Sequence, residues 1–123
     1  MLALPGGVRI HVCTRPTDMR KSFNGLIALT RTVLKADPLS GHLFIFVNRK
    51  ADYLKALYWS RGGFCIWSKR LEAGRFAAFT HADGAGNSTT LTDTELSMWL
   101  DGIELTNLRK RKRFELPCAP GAG

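Results

Sequence analysis

Apolar and polar positions first alternate at Val8, Ile10 and Val12, with Arg9, His11 and Cys13 between them. A period of two predicts a half-buried strand. Arg15-Pro16 ends it, because proline has no N–H to donate and restricts the residue before it. The period then lengthens. Met19, Phe23, Leu26, Ile27, Thr30, Val33 and Leu34 share one side at helical spacing, and Arg20, Lys21, Arg31 and Lys35 take the other. This pattern predicts an amphipathic helix with Thr17 as N-cap, Asp18 in its first turn and Asp37-Pro38 as its stop. Gly25 costs about 1 kcal/mol in a helix interior, so it is expected to mark close packing against a sheet.

From His42 to Val47 the chain is apolar or aromatic on both parities, as in a central strand covered on both faces. Asn48 to Asp52 is a polar turn. Tyr53–Trp59 and Phe64–Leu71 are predicted as two further strands, joined by a tight turn at either Arg61-Gly62 or Gly62-Gly63. Gly74 separates these from a short fifth strand, Arg75 to Phe79. Thr80 to Thr90 reads as a small polar loop. Thr92-Asp93-Thr94-Glu95 is a capping box ahead of a short helix whose apolar side is Leu96, Trp99, Leu100 and Ile103, with Gly102 as terminator. The order β-α-β-β-β-β-α implies an α+β fold. A mostly antiparallel sheet of about five strands carries one long amphipathic helix on one face and a short C-terminal helix. Residues 1–106 are expected to form a single domain, and 107–123 a basic, disordered tail.

Charge adds a second layer. The net charge is +8, and it is segregated. Residues 1–75 hold 13 Lys/Arg against 4 Asp/Glu, residues 76–108 hold none against 5, and residues 109–123 hold 5 against 1. A basic body and a basic tail point to a polyanionic partner. Cys13, Cys65 and Cys118 are far apart, as are His11, His42 and His81, so no metal site and no cofactor are expected. No apolar run approaches membrane-spanning length and the start lacks the form of a signal peptide; a cytoplasmic protein is expected.

Both faces of the Tyr53–Leu71 hairpin are apolar near its turn and basic towards its open end. Tyr53, Lys55, Leu57, Trp59, Phe64, Ile66, Ser68 and Arg70 share one face. Leu54, Ala56, Tyr58, Cys65, Trp67, Lys69 and Leu71 share the other. Arg20, Lys21, Arg49, Lys50, Lys55, Arg61, Lys69, Arg70 and Arg75 are too numerous to be buried, and their joint reading is a phosphate-contacting surface. Arg109, Lys110, Arg111, Lys112 and Arg113 read as an electrostatic arm. Tyr53, Trp59 and Trp67 are candidates for base stacking or a protein interface, with burial in the core as the competing reading.

The stretches "PTDMRKSFNGL" (Pro16–Leu26), "DPLSGHLFIFVNRKADYLKALYW" (Asp37–Trp59) and "FCIWSKRLEAGRF" (Phe64–Phe76) carry a family resemblance. From about Leu4 to Ile103 the chain resembles the TnpB (Orf2-like) accessory proteins of bacterial insertion-sequence family sixty-six. The resemblance implies a component of a mobile element that works beside a separate, larger transposase. It is distinct from the RNA-guided nuclease that shares the short name, for which this chain is far too short. Two departures stand out. Asn24 replaces a frequent Asp, and Ser60-Arg61-Gly62-Gly63 replaces a turn often rich in acids. The tail of the family varies, so nothing carries over to Arg109–Arg113.

Three functions follow. The preferred one is a non-catalytic accessory protein that binds element DNA, the transposase–DNA complex, or both. The second is a metal-dependent nuclease using Asp52 and Glu72. A turn at Gly62-Gly63 would set Tyr53 opposite Glu72 and bring the two carboxylates to one rim, and metal-assisted strand cleavage needs such a cluster. The third is a protein adaptor for the transposase whose charge is incidental.

Overall fold

The computed structural model describes residues 7–77 and 87–101. Among these, the elements are β1 (Ile10–Cys13), α1 (Phe23–Thr32), β2 (Leu43–Val47), β3 (Tyr53–Ser60), β4 (Gly63–Arg70), β5 (Ser88–Leu91) and α2 (Asp93–Leu100). They build a five-stranded sheet in the order β4-β3-β2-β1-β5. β1 and β2 are parallel, and α1 supplies the crossover that parallel neighbours need. The other three pairings are antiparallel, so the mostly antiparallel α+β architecture is the one observed.

The sheet is covered twice. Phe44 and Phe46 of β2 lie with Cys13, Leu57 and Leu26 in a core beneath α1. Leu43 and Ile45, the alternate residues of β2, lie with Ile10, Val12, Leu54 and Ala56 in a second core that includes Leu96, Trp99 and Leu100 of α2. All of these side chains are buried, and each large one contributes about 1.5–3 kcal/mol. The unbroken apolar pattern of β2 is thereby explained.

Several local expectations are corrected. The fifth strand is Ser88–Leu91, within and just beyond the stretch that reads as a loop; it pairs with β1 from Ile10↔Leu91 to Cys13↔Ser88. Arg75, Phe76 and Ala77 form no strand; the Phe76 N–H bonds the Ala51 carbonyl at 2.7 Å, and its ring packs on Trp99. Residues 78 and 79 lie outside the described residues, as do Gly102 and Ile103. α1 starts at Phe23 rather than after Thr17. Thr17 is buried, its N–H spent on the Val47 carbonyl at 2.8 Å, which holds the preceding segment against the end of β2. Phe23 at the helix start is exposed rather than in the core, and the helix stops at Thr32, short of Asp37-Pro38. Gly25 does not mark contact with the sheet. The atoms nearest to a Cβ placed there belong to Lys21, whose own Cβ would lie 3.0 Å away.

The β3–β4 hairpin turns at Arg61-Gly62, with φ of +50° and +82°, the two positive values that a type I′ turn demands. The ladder runs from Ser60↔Gly63 to Tyr53↔Arg70, which gives the two facial sets read from the sequence. The α2 capping box is also present. The Thr92 hydroxyl accepts from the Glu95 N–H at 3.1 Å, and the Glu95 carboxylate accepts from the Thr92 N–H at 3.0 Å.

Two stability changes follow. Thr92→Ala is expected to cost about 1 kcal/mol in chemical denaturation by loss of the cap. Arg61→Asn is expected to raise stability by about 0.5–1 kcal/mol, because asparagine tolerates the left-handed backbone that arginine is forced to adopt.

Candidate nucleic-acid interface

With both faces covered, one group of basic side chains gathers where strands end. At one end of the sheet the chain leaves β1 through Thr14 and Arg15, leaves β2 into Asn48, Arg49 and Lys50, and leaves β4 after Arg70. Three depressions lie side by side there. A groove of about 660 Å³ is lined by Thr17, Asp18, Met19, Asn48, Arg49, Lys50, Asp52, Tyr53 and Arg70. A cleft of about 170 Å³ shares Asn48 and Arg49 with it and adds Thr14, Arg15, Phe76 and Trp99. The third shares Tyr53 and Arg70 and adds Ser68, Lys69 and Glu72.

Asn48 holds this end in shape. Its side-chain oxygen accepts from the N–H groups of Asp52 (3.0 Å) and Tyr53 (3.1 Å), and its amide nitrogen donates to the Asp52 carboxylate at 2.7 Å. Its backbone bonds Tyr53 and Ala51, and Ala51 takes a φ of +60° to close the turn. The Asp52 and Ala51 carbonyls then accept from the Leu71 and Phe76 N–H groups, both at 2.7 Å. One turn thus fixes the exposed Arg49 and Lys50 at its tip and anchors the segment after β4. From the sequence, Asn48 reads only as a turn residue and Arg15 only as a strand end. The asparagine before a two-residue basic tip is the available signal.

The structure brings Arg49, Lys50, Tyr53 and Arg70 into one groove. Arg15, Arg49, Lys50, Arg70 and Arg75 are exposed, and no carboxylate of a described residue lies within ion-pair distance of them. Other candidates are placed differently. Arg20 is paired with Asp18 at 2.7 Å; that pairing and the Arg20 N–H hold the Asp18 carboxyl at about 2. Lys21 is exposed, and its carbonyl accepts from the Lys55 ammonium at 2.9 Å. The Lys69 ammonium donates to the Leu100 carbonyl at 2.8 Å, on the C-terminal turn of α2, where a cation is favoured. Lys55 and Lys69, both expected on phosphates, also reach carbonyls at the segment leading into α1 and at the end of α2, on opposite faces of the hairpin.

Arg61 and Trp59 sit at the far end of the hairpin, roughly 25 Å away at strand rise. Trp59 packs edge-on against Phe64 at 4.9 Å, and Trp67 is half-buried against the α2 core. Tyr53 alone of the three aromatic candidates lines the groove. Arg109, Lys110, Arg111, Lys112 and Arg113 lie outside the described residues.

The observed register sets Tyr53 opposite Arg70, not Glu72. Asp52 and Glu72 line different depressions, and the Asp52 carboxylate is engaged by Asn48. Among the described residues no three His, Cys, Asp or Glu side chains gather at metal-holding distance. Cys13 is buried, its thiol pushed up by burial, and His11 stacks on Phe44 with burial, His42 and Arg9 lowering its proton affinity. Among the described residues no helix is long and apolar enough to cross a membrane.

Asn48→Ala would leave two turn amides and one carboxylate oxygen without their partner. It is expected to lower stability by about 2–3 kcal/mol in denaturant titration and to loosen the turn, seen as faster amide exchange at Asp52 and Tyr53.

Comparison with known proteins fits this architecture to a family. The description "IS66 Orf2 like protein" matches residues 8–110. Among curated proteins, "Uncharacterized protein y4jC" of Sinorhizobium fredii is 36% identical over 117 residues, covering 95% of this chain and 97% of the relative. "Uncharacterized protein y4hO" of the same organism is 39% identical over 104 residues, covering 82% and 87%. No solved structure gives a significant match. The chain belongs to the IS66 Orf2-like family of insertion-sequence accessory proteins.

Proposed function

We propose that the chain binds DNA of its insertion sequence, alone or in complex with the transposase of the same element, through the basic end of its sheet. The observation that carries this reading is the grouping of Arg15, Arg49, Lys50 and Arg70 around adjoining grooves, with no carboxylate of a described residue paired to them. Exposed arginines suit phosphate oxygens, and Tyr53 in the same groove offers a ring to stack on a base or sugar. Contacts of this kind position a protein on DNA without reading sequence. Arg75 extends the strip, and the run from Arg109 to Arg113 adds a further cationic segment. The protein acts in the cytoplasm and does no bond-breaking of its own. Asp52 serves the turn that presents Arg49 and Lys50.

Electrophoretic mobility shift across a salt series tests this. Binding at low salt should weaken steeply as salt rises. The triple variant Arg49→Ala, Lys50→Ala, Arg70→Ala should flatten the log–log slope by about 3, roughly one for each phosphate left without its cation. No binding at low salt, or an unchanged slope, would sink the proposal. Incubation with plasmid and magnesium or manganese checks the catalytic alternative: nicking by the wild type that Glu72→Gln removes would overturn the non-catalytic reading.

A further inference from the structure

We infer that the outer edge of β4 is a self-association surface, on which a second copy of this chain pairs antiparallel to form one continuous sheet. The two ends of the sheet differ. β5 is a four-residue edge of Ser, Thr, Thr and Leu. β4 is eight residues long, and its first six, Gly63 to Ser68, carry no charge and no proline. Edge strands in soluble proteins are ordinarily blunted by charge, proline, a bulge or shortness, and β4 uses none of these before Lys69. Its ladder to β3 is unbroken.

The hairpin fixes which backbone groups face outward. Ser60 and Gly63 flank a two-residue turn, and the Leu71 N–H bonds the Asp52 carbonyl. Gly63, Cys65, Trp67 and Lys69 therefore spend their backbone groups on β3. Phe64, Ile66, Ser68 and Arg70 point theirs away from the sheet, since inward and outward pairs alternate along an antiparallel strand. Among the described residues nothing pairs with them.

The charge pattern selects the occupant. Antiparallel pairing about Ile66 sets Phe64 opposite Ser68 of the second copy and Ile66 opposite its counterpart. Every outward group of Phe64, Ile66 and Ser68 is then used, in about six inter-chain hydrogen bonds. Lys69 and Arg70 come opposite glycines. The two Lys69 positions then stand roughly 20 Å apart at strand rise, beyond the screening length of about 8 Å at physiological salt. In this orientation the two Lys69–Arg70 pairs are held apart, with Arg61 of each copy the nearest cation to the other's Arg70, whereas a parallel copy would stack the basic ends. The inference does not rest on DNA binding.

Light scattering on size-separated full-length chain tests it, with amide hydrogen exchange as a second readout. The wild type should run at twice 13.7 kDa at micromolar concentration and above. Ser68→Pro removes an outward N–H from an exposed position without touching the β3 ladder, so it should give the monomer mass with an unchanged circular dichroism spectrum. In the wild type, the amides of Phe64, Ile66 and Ser68 should be protected when concentrated and lose protection on dilution. A wild type that stays monomeric, a dimer whose three edge amides exchange unprotected, or a dimer that a folded Ser68→Pro variant retains would overturn the inference.

Discussion

A strand that is apolar on both faces has to be covered twice, and the rest of the molecule follows from that demand on β2. Phe44 and Phe46 require one helix and Leu43 and Ile45 require another. The parallel step from β1 to β2 lays α1 over the first face, and the return of the chain to β5 brings α2 to the second. Little of either face is left to bind a ligand. Charged side chains are displaced to the places where strands finish, because a buried unpaired cation is expensive. The candidate interface is therefore the end of a sheet and not its face.

The same demand gives two lysines a structural contact. Lys55 and Lys69 lie on opposite faces of the hairpin, and each reaches a backbone carbonyl next to the helix on its own side. Their stems cover apolar surface while the ammonium groups stay at the rim. The cations gathered at the end of the sheet are Arg15 after β1, Arg49 and Lys50 on the Asn48 turn, and Arg70 at the end of β4. Arginine predominates there, and its planar fork suits bidentate contact with phosphate.

Much of this is legible in the sequence. Alternation marks β1, β3 and β4, the double-faced apolar run marks β2, and Thr92 to Glu95 marks the start of α2. The facial sets of the hairpin follow from parity alone. β5 is hidden because Ser88, Thr89 and Thr90 are polar, and a strand whose partner is β1, far off in sequence, shows no local sign of that pairing. The start of α1 is displaced because Thr17 and Asp18 have the chemistry of a cap, yet Thr17 is recruited by the Val47 carbonyl and Asp18 folds onto Arg20. Asp52 is engaged by Asn48 and lines a different depression from Glu72, which spacing along the chain does not reveal. Two glycines in a row permit two turns, and the positive φ adopted by Arg61 chooses between them. The roles of Asn48, Lys55 and Lys69 depend on carbonyls and amides brought near by tertiary folding, which residue spacing alone does not encode.

The proposed polyanion contact lies at one end of the sheet and not along the aromatic hairpin. Backbone chemical-shift mapping during titration with a short DNA duplex tests this most directly. Shifts are expected to concentrate at Arg15, Asn48, Arg49, Lys50, Tyr53 and Arg70 and to fade as salt is raised. Shifts concentrated instead at Trp59, Arg61 and Phe64, with the Asn48 turn unmoved, would contradict it.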